Sequence, residues 1–175
     1  MYKRQITYYS KEDVNKSHGT FVAGVLLYGD ELEGENYTGF DGCRLLEAIV
    51  MPDTSKQSIT EDELIFQIWD AVSRNPDVKV WNLSLGTNRE ADLQEQNNVL
   101  ICKSAGNCTN FKLNAPVERI AKSADTVRGL VVGSLAHDKN NTDIAEKNNP
   151  SPFSRIGRGP SHLIKPDVVH FGGNV

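Results

Sequence analysis

Short apolar runs alternate with amphipathic helical patterns along this chain, and the alternation restricts its fold more than any other feature. Each apolar run is bounded by Pro, Gly or Asn, as buried strands are. The pattern predicts the α/β class: a three-layer, mainly parallel sheet flanked by helices, with right-handed connections and a cleft at the carboxyl ends of the strands. The predicted strands are residues 45–51, 78–85, 99–104 and 129–136, and the predicted helices between them are residues 60–74, 91–97 and 116–124.

Two helices have particularly clear signals. Thr60 and Glu63 have the spacing of a capping box, and the apolar residues that follow share one helical face. Ser17 is a candidate N-cap for an earlier helix, which would place His18 in its first turn, pointing toward a cleft. The apolar face expected for the later helix is Leu64, Ile65, Ile68, Trp69 and Val72, and that expected for the earlier one is Phe21, Val22, Val25 and Leu26.

Length and charge restrict the class of protein. The chain has 175 residues and a net charge of −4, and this length fits one domain. Nucleic-acid and anionic-membrane binders carry a basic excess, so we expect neither partner. No apolar run approaches the roughly 20 residues of a membrane-spanning helix.

The cysteines and acidic residues suggest no cofactor. Cys43, Cys102 and Cys108 cannot all pair within one chain, and none has metal-ligand spacing to a histidine. We interpret them as reduced thiols, which favours the cytoplasm, with secretion as the alternative. Structural calcium finds no support, since the acidic residues 30–35 do not fit an EF-hand. The histidines His137, His162 and His170 lie in sequence rich in Asn, Pro and Gly, which predicts loops, and are interpreted as surface or packing residues.

The strongest functional signal is a set of short motifs in a fixed order. They are HGTFVAG at residues 18–24, NLSLG at 82–86, SAGN at 104–107, VVGS at 131–134, SPFSRIG at 151–157 and KPDVV at 165–169. Together they resemble the subtilisin-like serine peptidases, or subtilases, over about residues 17–171. The resemblance implies a subtilisin-like fold and peptide-bond hydrolysis by acyl transfer, with a polypeptide as the substrate.

The resemblance also implies roles for individual residues. His18 would be the general acid/base, since an imidazole titrates near neutral pH and can take and return the serine proton. Asn107 would stabilise the oxyanion, because a neutral amide N–H donates to it without adding a competing charge. The substrate channel would be lined by Ser84, Leu85, Gly86, Ser104, Ala105 and Gly106, whose small size lets an extended peptide approach the backbone.

Two of the family's catalytic motifs do not occur in these residues. Asp13 is the sole aspartate before His18 and lacks the Asp-x-Gly setting, and no Gly-Thr-Ser occurs anywhere. The resemblance therefore implies a central fragment of a subtilase catalytic domain, truncated at both ends and inactive alone. We expect a single partial domain over residues 1–175, in which residues 1–16 are an N-terminal extension of uncertain structure. A missing edge strand could also leave backbone groups free for self-association.

Other functions are open at this point. A pseudo-peptidase would use the same groove to bind peptides or serve as a scaffold. In a Gly-x-Ser-x-Gly hydrolase, Ser84 would be the nucleophile, but asparagine replaces the first glycine of that motif. Its acid would be Asp138 or Asp143, and its base His162 or His170. A dinucleotide-binding domain would need a Gly-x-Gly-x-x-Gly after a strand, and none follows any predicted strand.

Overall fold

Parallel strand pairing organises both halves of the chain. The computed structural model describes residues 3–32, 34, 43–85, 97–109 and 119–174. The chain divides into two compact units, Met1–Asn75 and Pro76–Val175, which we describe separately. The expectation of a single domain stays a prediction.

The first unit contains a two-stranded parallel sheet and two helices in its described residues. Strand β1 (Lys3–Thr7) pairs with β2 (Leu45–Ile49) in a register that runs from Lys3 opposite Leu45 to Thr7 opposite Ile49. The β1 segment lies within what the sequence suggested was an extension of uncertain structure. Its composition, with Ile6 the one aliphatic residue, gives little strand signal, and pairing with β2 determines its conformation.

Helix α2 (Glu61–Ser73) forms where the capping box predicts it. The Thr60 hydroxyl accepts from the Glu63 amide, and the Glu63 carboxylate accepts from the Thr60 amide, so both ends of the box are present. Trp69 is the main departure from the predicted buried face, with 42% of its surface exposed. The residues that the helix buries are Leu64, Ile68, Ala71 and Val72.

Helix α1 (Ser17–Leu32) departs further from expectation. Ser17 is its first residue rather than its cap, and Asn15 Oδ1 accepts from both the Ser17 amide and the Ser17 hydroxyl. The face expected to be buried is largely exposed: Phe21 at 69%, Val25 at 48% and Leu26 at 50%. An apolar stripe indicates which side of a helix can be buried, but burial also requires an opposing surface.

The second unit contains a four-stranded parallel sheet, in the order β3-β4-β5-β8. This confirms the mixed α/β class and the mainly parallel sheet. Its strands are β3 (Val80–Leu83), β4 (Leu100–Ser104), β5 (Leu130–Leu135) and β8 (Val168–Phe171). Strands β6 (Gly157–Arg158) and β7 (Ile164–Lys165) form a short antiparallel pair.

One predicted helix of this unit falls mainly on undescribed residues, and another falls partly on them. Of residues 91–97, only Asn97 is described, and residues 116–118 lie outside the described ranges. The end of the second predicted helix is a 3₁₀ turn, Lys122–Ala124. Ile120 and Ala124 of this segment are buried with Ala105 and Val131 in one apolar cluster.

An ion pair connects the strand β7 to the start of β5. The Lys165 ammonium donates to Asp167 Oδ2 at 2.6 Å and to the Gly129 carbonyl at 3.2 Å, and its side chain is 3% exposed. The same carboxylate oxygen accepts from the Val131 amide at 2.8 Å. Desolvation raises the pKa of Asp167, but the hydrogen bonds from Lys165 and Val131 and the lysine charge outweigh it, so the pKa is lowered.

Asp167→Asn should destabilise the protein at neutral pH and have less effect in acid. The lowered carboxyl pKa gives stability that is present above the ordinary aspartate value and lost as pH falls through the folded-state value. At pH 7 we expect a loss of roughly 3 kcal/mol, the lower end for breaking a buried pair, since Asp167 is partly exposed. Urea unfolding from pH 7 to 2.5 measures the difference.

The matched control is Glu146→Gln, which removes a carboxylate from the exposed ion pair with Lys139. This change should cost less than about 1 kcal/mol at any pH. An Asp167→Asn penalty that persists undiminished at acid pH would contradict the assigned role of the charge.

Candidate active site

The segment from Ser104 to Asn107 makes a sharp turn at the carboxyl end of β4. Gly106 has a φ of +96°, in the left-handed region that favours glycine. A Cβ at this position would lie 2.6 Å from the Cβ of Ala121, so a side chain has no room. The Gly106 amide donates to the Ser104 hydroxyl at 3.1 Å. The sequence Ser-Ala-Gly therefore produces a tight turn that ends directly at Asn107.

A second segment braces this turn. Asn107 and Ser154 form an isolated antiparallel bridge. On either side of it, the Cys108 amide donates to the Phe153 carbonyl at 2.8 Å and the Arg155 amide donates to the Gly106 carbonyl at 3.0 Å. These bonds fix the turn against residues 153–155.

A cavity of about 270 Å³ opens at the carboxyl ends of the four parallel strands. This is the position at which α/β sheets generally bind ligands. Four of the residues that the sequence suggested for the site line it together: Ser84, Ser104, Gly106 and Asn107. The expected cleft position is therefore occupied by a cavity that contains the proposed oxyanion donor.

The Asn107 side chain is available for a ligand. It is exposed, and within the described part of the chain its carboxamide has no hydrogen-bond partner. An unpaired amide N–H at the rim of a cavity can donate to an oxygen that develops charge there.

The remaining predicted site residues are placed differently. Ala105 is 1% exposed and packs in the apolar cluster, so its side chain is not a wall of the cavity. Leu85 is half-buried and does not line the cavity, and Gly86 lies outside the described residues. His18 is exposed in the first turn of α1, in the first unit. Their roles in a substrate channel or in catalysis stay predictions.

Sequence reasoning missed several residues of the cavity. His170 lies on β8 and lines it, rather than standing in a loop as we expected. The signal that could have located β8 is the pair Val168-Val169, next to the Lys-Pro-Asp motif. The missed lining residues are Asn82, Lys103, Val132, Gly133, Ser134, Ser154, His170, Phe171 and Gly172.

Hydroxyl groups support one side of the cavity. The Ser134 amide donates to Ser154 Oγ at 3.0 Å, and the Ser134 hydroxyl lies 2.6 Å from that of Ser151. Ser151, which is 2% exposed, donates to the Gly173 carbonyl at 2.6 Å. These bonds join β5 to the segment after β8 and hold the cavity wall in place.

The geometry does not support Ser84 as a hydrolase nucleophile. Its hydroxyl accepts from the Asn82 amide at 2.9 Å, which is its one hydrogen bond among the described residues. In the part of the chain that the structure describes, no base therefore holds the hydroxyl proton, as an activated serine requires. His170 lines the same cavity, whereas the other candidates for this alternative, His162, Asp138 and Asp143, do not.

The described residues offer no cluster of three or more His, Cys, Asp or Glu side chains for a metal ion. All three cysteines are free, and Cys108, which follows Asn107 in the sequence, is buried. Burial raises the pKa of the Cys102 thiol, which disfavours the thiolate. Among the described helices, none combines the length and apolar character needed to cross a membrane.

Comparison with known proteins identifies the family. The model of the Subtilase family matches residues 3–175. No curated protein matches the chain significantly. The solved structure of the prenylagaramide maturation protease PagA is similar with a TM-score of 0.54 and 24% identity, over 89% of this chain and 51% of that one.

A second similar structure, the S41 psychrophilic protease, has a TM-score of 0.52 and 20% identity over 75% of this chain and 44% of that one. The chain thus spans about half the length of these two proteases. At this identity the likeness establishes the fold, while the family match covers nearly the entire sequence. The chain belongs to the subtilase family.

Proposed function

We propose that this chain is part of a serine endopeptidase of the subtilisin type, which hydrolyses peptide bonds by acyl transfer. Family membership over residues 3–175 supports the reaction class. The single observation that carries the site assignment is the exposed Asn107 carboxamide, which has no hydrogen-bond partner among the described residues and lies at the cavity where β3, β4, β5 and β8 end.

Asn107 would act on the tetrahedral intermediate. Attack on a carbonyl turns its oxygen into an oxyanion, and a preorganised N–H donor lowers the energy of that state more than that of the substrate. The braced turn would preorganise the Asn107 donor, since Gly106 and the bonds to residues 153–155 leave its backbone little freedom.

His18 would transfer the proton. In acyl transfer by a serine, an imidazole takes the hydroxyl proton during attack and returns it to the leaving amine. His18 is exposed at the start of α1, so its ring is accessible to a serine hydroxyl. The serine and the aspartate of the triad have no recognisable motif in these residues, so we propose that this polypeptide is inactive alone.

The peptide substrate would lie in extended form along the ends of β3 and β4. Ser84 and Ser104 are exposed there, and Gly106 offers backbone without a side chain. Extended peptides bind such strand ends through main-chain hydrogen bonds, which are largely independent of substrate sequence.

The second candidate is a pseudo-peptidase that binds peptides without cleaving them. It would use the cavity that Asn107 lines to hold an extended peptide. Both candidates would bind peptides in the same groove. Only a test of peptide cleavage therefore distinguishes them.

A fluorophosphonate probe tests the proposal. The polypeptide of residues 1–175, shown to be folded by cooperative urea unfolding, should acquire no adduct and should not hydrolyse casein. The full-length protein should hydrolyse casein and acquire one adduct, at a serine other than Ser84, since no described residue acts as a base on the Ser84 hydroxyl. Mass spectrometry of the labelled peptides identifies the site.

Each alternative has its own result. An adduct on Ser84, abolished in Ser84→Ala, would replace the subtilase mechanism by that of a Gly-x-Ser-x-Gly hydrolase. A full-length protein that binds peptides but neither cleaves them nor acquires an adduct would be a pseudo-peptidase.

A further inference from the structure

Arg155 makes an unusual set of contacts beside Asn107. Its backbone amide donates to the Gly106 carbonyl at 3.0 Å, and its Nε donates to the Asn107 carbonyl at 3.0 Å. Nη1 donates to the Arg119 carbonyl at 3.3 Å. One residue therefore holds the carbonyl groups of both peptide units that flank the Asn107 Cα.

The bridge geometry explains why a side chain is needed. Because the bonds lie on either side of the Asn107–Ser154 pair, this is a non-hydrogen-bonded pair, whose own C=O and N–H groups point away from the partner segment. The backbone of Ser154 cannot satisfy the Asn107 carbonyl. The Arg155 side chain reaches around the pair and does so.

The chemistry of the guanidinium suits this position. Arginine is always charged and presents its donors in a rigid plane, so it can bind two carbonyl groups at once with little further loss of freedom. Among the described residues, Arg155 bonds to carbonyl oxygens and to no carboxylate. Within the described ranges, therefore, no acidic side chain neutralises its charge.

We infer that Arg155 is a positioning residue for the oxyanion donor. By fixing the peptide planes on both sides of Asn107, it limits rotation at that residue and so aims the carboxamide. This inference rests on the proposed function. The inference extends the proposed function by naming a residue that touches neither substrate nor nucleophile and acts through Asn107.

The test is a double-mutant cycle in the full-length protein, with kcat and KM measured on a peptide substrate. Arg155→Gln should lower kcat by about tenfold, as for one charge-assisted hydrogen bond, and change KM less than about twofold. The loss must stay below the roughly 10²–10³ expected from deleting the carboxamide. In an Asn107→Ala background, Arg155→Gln should change kcat by less than about twofold.

Two further variants control for folding and for charge. Arg158→Gln removes a nearby arginine that does not bind the turn, since its Nη1 lies 3.4 Å from His162 Nδ1. This substitution should leave kcat unchanged. Arg155→Lys keeps the charge but cannot bind two carbonyl groups in one plane, so it should restore little of the loss. Thermal midpoints identify any variant that is merely unfolded.

The outcomes separate the two proposals. Full recovery in Arg155→Lys, or equal losses from Arg155→Gln in both backgrounds, would overturn the positioning role and leave the peptidase proposal intact. A full-length protein without peptidase activity would overturn both. An active protein in which Asn107→Ala leaves kcat unchanged would overturn the roles of Asn107 and Arg155 and leave the peptidase proposal intact.

Discussion

His18→Ala in the full-length protein should lower kcat by about 10⁴–10⁶ while leaving KM nearly unchanged. Without the imidazole, no group takes the serine proton during attack or returns it to the leaving amine. The substitution acts on an exposed side chain in the first turn of α1, so it removes little packing. Steady-state kinetics on a peptide substrate and a thermal melt measure the two effects separately.

His162→Ala is the matched control for this prediction. His162 is also exposed, lies in the 3₁₀ turn Pro160–His162 and does not line the cavity of Asn107, so its loss should leave kcat within about twofold. Turnover that survives His18→Ala would show that another group transfers the proton and would remove the assignment of His18.

The sheet was largely predictable from the sequence because each of its central strands is a continuous apolar run. The strands β2, β3, β4 and β5 lie within their predicted segments and are shorter by one or more residues at their ends. Strand ends depend on where the pairing partner stops, which the sequence of one strand does not specify.

The strands that sequence reasoning missed depend on their partners. The segment of β1 is mostly polar, and it becomes a strand by pairing with β2. The segment of β8 is apolar but lies among Pro and Gly residues that suggested a loop, and it pairs with β5 from Val132 opposite Val168 to Leu135 opposite Phe171. In both cases a non-local contact outweighs weak local propensity.

The candidate site was predictable to the extent that it is local. The turn that carries Asn107 is contained in four consecutive residues, and Gly106 indicates its left-handed conformation. The bracing by Arg155 was not predictable, because it joins positions 48 residues apart through a bridge whose register only the fold specifies. Ala105 was assigned to the substrate channel because it belongs to the SAGN motif, yet its side chain is buried in the core. Membership of a functional motif does not by itself place a side chain at the site.

Asn107→Ala in the full-length protein should lower kcat by about 10²–10³ with little change in KM, as the loss of such a donor does in a subtilisin. The substrate carbonyl is neutral and gains little from the amide, whereas the oxyanion of the intermediate gains a strong hydrogen bond. The Asn107 carboxamide has no partner within the described residues, so its removal breaks no bond of the fold there. Stability should therefore be nearly unchanged.

Asn107→Asp distinguishes the role of the side chain as a hydrogen-bond donor from the effect of its volume. The carboxylate has nearly the same shape as the amide, but when ionised it only accepts hydrogen bonds and repels the oxyanion. Its kcat should therefore be at least as low as that of Asn107→Ala, whereas Asn140→Ala, at an exposed turn residue, should behave as the wild type. If Asn107→Asp instead retained turnover, the amide N–H would not be the stabilising group, and the cavity at the ends of the parallel strands would need another donor.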